Sequence, residues 1–250
     1  MSDCENEIRE LTRRRSGALT RRGAAPLGRL LSTLKRFYGR PEPPAATDPF
    51  EQILYENVAY LAGDARRTEA FRALRERIGL TPERILESRD AALHEIGLRG
   101  ILPASTAEKL RETARVALEE FGGDLAGAIR RLPTTEAKKA LRKFPSIGEP
   151  GAEKILVFAG RLRALGLDSN GLRVLVRLGY GREGKNYSAR YRSAQEAAAP
   201  ELPSSRVALI EASQLLRRHG QELCKASNPR CDACPVRGDC IYFRTMSASR

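Results

Sequence analysis

The sequence predicts an all-α protein, and three observations carry that prediction. Apolar residues recur at three- and four-residue intervals through most of the chain, and the strict alternation of a half-buried strand is absent. Helix-opening signatures, a capping side chain followed by proline, stand at Asp48-Pro49 and Thr81-Pro82. The pair Gly122-Gly123 supplies a stop. At 250 residues the chain can bury a full core, as one large domain or two small ones.

The formal charge of +13 and the pI of about 10.0 point to a polyanionic partner, because every phosphate met by Lys or Arg releases counterions. A plain basic surface is the alternative reading of charge alone. No apolar run reaches the roughly 20 residues of a membrane span, and no signal segment opens the chain, so a soluble, intracellular protein, cytoplasmic or nucleoid-associated, is expected. Of five cysteines, four crowd the C-terminus, a usage that argues for metal over disulfide.

Residues 1–25 form a basic arm with Arg13-Arg14-Arg15 and Arg21-Arg22, expected to be disordered and suited either to touching DNA backbone or to simple solvation. Cys4 stands apart in it as an incidental thiol. From Pro26 to Tyr38, Leu27, Leu30, Leu31, Leu34 and Phe37 make the apolar stripe of an amphipathic helix, which Pro41–Pro44 breaks. Asp48-Pro49-Phe50-Glu51 opens the next helix. Ile53, Leu54, Val58 and Leu61 form its buried side, and Gln52, Glu56, Ala59, Tyr60 and Gly63 an adjoining stripe. On its own Glu56 reads as a solvated helix residue. Residues 66–140 read as about four short helices, one opened at Thr81 and another capped by Ser105 or Thr106 and ended by Gly122-Gly123.

Pro133-Thr134-Thr135-Glu136 starts a helix ending near Lys143, and Phe144 to Asp168 follows as the organising stretch. Its tight turn through Ser146-Ile147-Gly148 feeds a helix start, whose outward amides attract phosphate. An apolar run from Ile155 to Leu165 then leads to Asp168, a carboxylate at the far end of the same expected helix. Asp168 before Asn170 would by itself be a helix cap. Gly179 to Arg192, with Tyr180, Tyr187 and Tyr191 among basic residues, fits a DNA-facing loop or an ordinary surface loop. The series Cys224-x6-Cys231-x2-Cys234-x5-Cys240 can hold a [4Fe-4S] cluster or a tetrahedral zinc, and a single Cys-x2-Cys pair weighs against a zinc ribbon.

Three of these stretches together resemble the helix-hairpin-helix DNA glycosylase superfamily, which includes endonuclease III and adenine-DNA glycosylase: the hairpin at 144–151, the segment Leu167 to Leu175 with Asp168 and Asn170, and the cysteine loop with His219-Gly220 ahead of it. The resemblance implies a six-helix barrel domain over 42–162 and an iron-sulfur cluster domain from 26–41 plus 163–250, with DNA crossing the groove between them. It implies that Cys224, Cys231, Cys234 and Cys240 hold a [4Fe-4S] cluster, with Lys225, Arg230 and Arg237 offering phosphate contacts around it. Asp168 becomes the carboxylate that stabilises the sugar cation as the glycosidic bond breaks. Glu56 becomes an acid, raised by burial, that protonates the leaving base or positions water. Ser146, Ile147, Gly148, Gly151 and Lys154 become the backbone grip.

Departures from the pattern are informative. Pro150 stands where bifunctional members carry their Schiff-base lysine, so that route to strand cleavage is closed. Proline also simply suits a first helical turn. Ser146 replaces the usual first hairpin glycine, Gly151 a usual Thr or Ser, and Leu61 the glutamine of endonuclease III. Lys154, one turn beyond Pro150, is a substitute amine or, more plainly, a phosphate contact. The implied protein is a monomeric base-excision enzyme that flips out a damaged or mismatched base from double-stranded DNA and removes it without a lyase step. The alternatives are an endonuclease III-type glycosylase and lyase, or a non-catalytic DNA binder. No recognition domain is expected beyond Cys240, so adenine opposite oxidised guanine is not implied.

Overall fold

The computed structural model describes residues 23–59, 62–184 and 186–248. The expectations for most of the basic arm, Cys4, Tyr60 and Leu61 lie outside the described residues. Every regular element among the described residues is helical, as expected of an all-α chain. The chain divides into two compact units, Met1–Glu42 with Arg163–Arg250, and Pro43–Leu162.

The unit Pro43–Leu162 holds α2 (Pro49–Asn57), α3 (Asp64–Arg77), α4 (Pro82–Glu87), α5 (Asp90–Gly97), α6 (Pro103–Phe121), α7 (Leu125–Arg131), α8 (Thr134–Leu141) and α9 (Glu149–Phe158). Asp48 caps α2 through Oδ1, which accepts from the amides of Phe50 at 2.9 Å and Glu51 at 3.2 Å. Thr81 caps α4 at the amide of Arg84. Helix α6 starts at Pro103, so Ser105 and Thr106 lie inside its first turn and do not cap it. It ends as expected: Gly122 adopts φ +58°, and the Gly122 and Gly123 amides close back on Leu118 and Ala117. The core gathers Ile53, Leu54, Phe71, Leu74, Leu110, Ile155 and Leu156, and α2 runs through it against α3, α6, α7 and α9.

Two boundaries differ from the sequence expectation. Helix α8 stops at Leu141, and α9 stops at Phe158 although apolar residues continue to Leu165. Gly160 turns the chain at φ +73°, and residues 165–167 form a buried, non-helical turn in which the Leu167 amide bonds the Leu165 carbonyl at 2.9 Å. Their backbone is satisfied by side chains: Gln195 brackets Leu165, accepting from its amide and donating to its carbonyl, and Ser213 accepts from the amide of Gly166. The apolar run continues because the segment is buried, not because it is helical. Asp168 therefore heads a new helix instead of ending α9.

The other unit holds α1 (Leu27–Tyr38), α10 (Ser169–Arg177), α11 (Tyr187–Ala198), α12 (Arg206–Glu222), α13 (Ile241–Ala248) and three short 3₁₀ turns. Helix α12 is its axis and packs along α10 and against α1. The stripe of α1 is buried at Leu27, Leu30, Leu31 and Leu34, whereas Phe37 is exposed, edge-on to Tyr38. Tyr180 and Tyr191, read as loop aromatics, are core residues. The Tyr180 hydroxyl lies 2.9 Å from the Ala25 carbonyl, and Tyr191 bonds Gln195. Of the three tyrosines only Tyr187 is exposed.

Candidate functional site

The hairpin is built from α8, the turn 142–148 and α9. Lys138 on α8 donates to Glu153 on α9 and clamps the two helices. Ile147 is buried and its amide already bonds the Phe144 carbonyl, so it anchors the turn. Ser146 and Gly148 are exposed, and the first-turn amides of α9 face outward without intrahelical partners. Ser146 adopts φ +61°, the left-handed region that a glycine occupies without cost. Ser146→Gly is expected to raise stability by about 0.5–1 kcal/mol, read as a higher urea midpoint at unchanged slope. A lower midpoint would show that the serine is held there by something glycine cannot replace.

Asn57, fully buried, ties this hairpin to α2. Its Nδ2 donates to Ile53 O at 3.0 Å and to Pro145 O at 2.9 Å. Nothing in the sequence pattern marks it, because the partner is 88 residues away. One residue earlier, Glu56 is neither solvated nor a lone buried acid. Lys154 donates to its Oε1, and Arg67 donates to its Oε2 at 3.2 Å. The three side chains are only 11–23% exposed. Both carboxylate oxygens thus face cations, an arrangement made for the anion. Lys154 meets a carboxylate here instead of open solvent, and Pro150 occupies the second position of α9.

Asp168 caps α10. Its Oδ1 accepts from the Gly171 amide at 2.8 Å, and its Oδ2 accepts from Asn170 Nδ2 at 3.1 Å and from Arg217 Nη1 at 2.9 Å. Arg217 is a residue that sequence reasoning missed. Gly220 lets α10 and α12 come close enough for the pairing, because a Cβ there would stand 2.6 Å from Asn170 O. Tyr187 lies within the field of this carboxylate: burial first, then Asp168, pushes its hydroxyl above the ordinary tyrosine range.

The cysteine loop is tied to α10 by two arginines. Arg173 donates to Asn170 Oδ1, Gly220 O and Cys224 O at 2.7–2.9 Å. Arg177 donates to Lys225 O, Ala226 O and, at 3.4 Å, to Cys224 Sγ, with its guanidinium 4.4 Å from the Tyr242 ring centroid. All four cysteines line one apolar pocket with Val174, Leu178, Leu223, Val236 and Tyr242, and none is in a disulfide. Four sulfurs around one apolar pocket are the donor set of an iron-sulfur cluster. Burial pushes the Cys234 thiol up to about 11 and raises Cys231 and Cys240 as well, so loading the site releases protons.

His219, buried and pushed down to about 4 by that burial, is neutral. Its Nδ1 lies 2.9 Å from the hydroxyl of Tyr38, whose pKa burial raises, and its Nε2 lies 3.5 Å from Cys234 Sγ. In the tautomer in which Tyr38 donates to Nδ1, Nε2 carries the hydrogen and points it at the Cys234 sulfur. Such a donor orients a thiolate ligand and tunes the group it holds.

One feature outside these clusters was not singled out from the sequence. Leu98, Ile101 and Leu102, between α5 and α6, expose 62%, 55% and 46% of their surface. All three belong to one five-residue connection, 98–102.

Comparison with known proteins agrees with this architecture. Residues 224–240 match the iron-sulfur binding domain of endonuclease III. Endonuclease III of Thermotoga maritima is 25% identical over 211 residues, covering 84% of this chain and 90% of the relative. Endonuclease III of Sulfolobus acidocaldarius is 28% identical over 196 residues, covering 78% and 82%. A thermostable thymine-DNA glycosylase of known structure superposes with a TM-score of 0.67 at 21% identity, over 88% of this chain and 97% of that one, a likeness of fold. The cysteine loop is an iron-sulfur site of the endonuclease III type, and the chain is similar over most of its length to endonuclease III and shares the fold of a DNA glycosylase of known structure.

Proposed function

We propose that the protein is a base-excision DNA N-glycosylase, acting as a monomer on duplex DNA, that removes a damaged or mismatched base by hydrolysis and lacks the lyase step. The observation that carries this reading is the pairing of a part-exposed carboxylate, Asp168, held by three donors at the head of α10, with a proline at position 150, where a Schiff-base amine would be required. The thermostable neighbour is a thymine-DNA glycosylase and the curated relatives are endonucleases III, so the reaction class is shared while the base is not.

The chemistry follows from the residues. The hairpin's Ser146, Gly148, Gly151 and the first amides of α9 hold a backbone phosphate, and the overall charge of +13 supports binding. The target base leaves the stack, and the exposed Leu98, Ile101 and Leu102 fill the opened step as an apolar wedge. As the N-glycosidic bond breaks, positive charge grows on the deoxyribose and the fixed Asp168 anion stabilises it. Glu56, held between Lys154 and Arg67, serves as an acceptor that positions water and not as the acid that protonates the base. Cys224, Cys231, Cys234 and Cys240 would hold a [4Fe-4S] cluster, which supplies structural cross-linking and electron-transfer capacity away from the hydrolytic step.

The test is a panel of duplex oligonucleotides, each with one damaged or mismatched base, split after incubation into alkali-treated and untreated halves. Cleavage only after alkali is expected, and it names the base. Cleavage in both halves would overturn the monofunctional reading, with Lys154 the first amine to examine by borohydride trapping. Tight binding with no base release from any duplex would overturn catalysis and leave a DNA-binding protein.

A further inference from the structure

Asp168 is neutralised where it stands. Its Oδ2, the oxygen not used for capping, carries the Arg217 guanidinium at 2.9 Å, and the two side chains are 27% and 22% exposed. A carboxylate so paired has little net field to offer a sugar cation, because the guanidinium cancels it at short range. About a quarter of each side chain remains open to solvent, so a competing anion can reach the guanidinium. DNA brings the competing anion: a guanidinium matches phosphate with two parallel hydrogen bonds. The main chain of α12 at Arg217 lies against α10 at Gly171, so the side chain pivots from a fixed root close to the Asp168 cap.

We propose that Arg217 is a phosphate-binding residue of the glycosylase site: it rests on Asp168 in the free protein and transfers to a DNA backbone phosphate in the complex, so that the carboxylate is unmasked only against bound DNA. The inference rests on the reading of Asp168 as the carboxylate that faces the sugar. It makes the Asp168 charge conditional on substrate, and it makes one arginine contribute to affinity and to timing.

Two duplex probes test it on the iron-sulfur-loaded protein. One carries a neutral tetrahydrofuran abasic analogue, the other a pyrrolidine analogue whose ring nitrogen places a positive charge in the sugar. The wild type is expected to prefer the pyrrolidine duplex, and Asp168→Asn to lose that preference. Arg217→Gln, with Arg217→Ala as a second variant, is expected to weaken binding of both duplexes by about tenfold and to lower the salt slope by about one. The preference between the probes should stay as in the wild type. Arg217→Lys should keep the salt slope. If Arg217 instead stays on Asp168 in the complex, Arg217→Gln will leave tetrahydrofuran binding and the salt slope unchanged and will increase the preference for the pyrrolidine duplex; that result overturns the proposal. Survival of the preference in Asp168→Asn would overturn the reading of Asp168 itself, a failure distinct from one at Arg217, in which the preference still depends on Asp168.

Discussion

Asp168→Asn should reduce base release by about a thousandfold, equivalent to about 4 kcal/mol of transition-state stabilisation, while DNA affinity changes little. The substitution is chosen for what it keeps. An asparagine oxygen can still accept from the Gly171 amide, so the cap of α10 survives, and the fold with it. What disappears is the negative charge that would face the sugar. Asp168→Ala would confuse the outcome, because losing the cap costs about 1 kcal/mol by itself. The measurement is single-turnover release of whichever base the duplex panel identifies, beside a binding isotherm on the same duplex. Equal single-turnover rates for wild type and variant would remove Asp168 from the chemistry.

The second large effect belongs to the cysteine loop. Cys234→Ser is expected to abolish the broad absorbance near roughly 400 nm that an iron-sulfur cluster gives and to lower the melting temperature by about 10 °C. The reason lies in how little else holds the segment. Val236, Cys240 and Leu223 are its buried anchors, and the remaining attachment is by scattered polar contacts, from Arg173 and Arg177 to loop carbonyls and from Arg29 to Asp239. Without a metal group, four thiols line an apolar pocket and burial holds Cys231, Cys234 and Cys240 protonated there. A wild-type protein purified without oxygen that is colourless and carries zinc would overturn the cofactor assignment, and an unchanged melting temperature in Cys234→Ser would remove the structural role.

What was legible in advance was local chemistry. Asp48, Thr81 and the Gly122-Gly123 pair announce helix ends because capping acts within four residues, and each is found where it was expected. The cysteine spacing was legible for the same reason. Where tertiary burial competes with periodicity, the pattern misleads. Leu162, Leu165 and Leu167 prolong the apolar run of α9 although the helix has ended, since the buried turn that follows needs apolar side chains just as much. Tyr180 and Tyr191 look like loop aromatics until the contacts with Ala25 and Gln195 show them to be core. Spacing and resemblance point to Asp168 and Glu56, but not to what surrounds them. Arg217 lies 49 residues from its aspartate, and Lys154 lies 98 residues from its glutamate. No window of sequence spans such distances.

The buried amide of Asn57 has a consequence for how this protein can vary. It fixes the Pro145 carbonyl of the hairpin turn to the helix whose preceding residue is Glu56, so one side chain sets the register of both. The hairpin turn and the Glu56 carboxylate, which would otherwise move independently, share a single point of failure. Substitutions at position 57 should therefore surface as paired defects, weaker DNA affinity together with altered turnover, and a second change that restores one should restore the other.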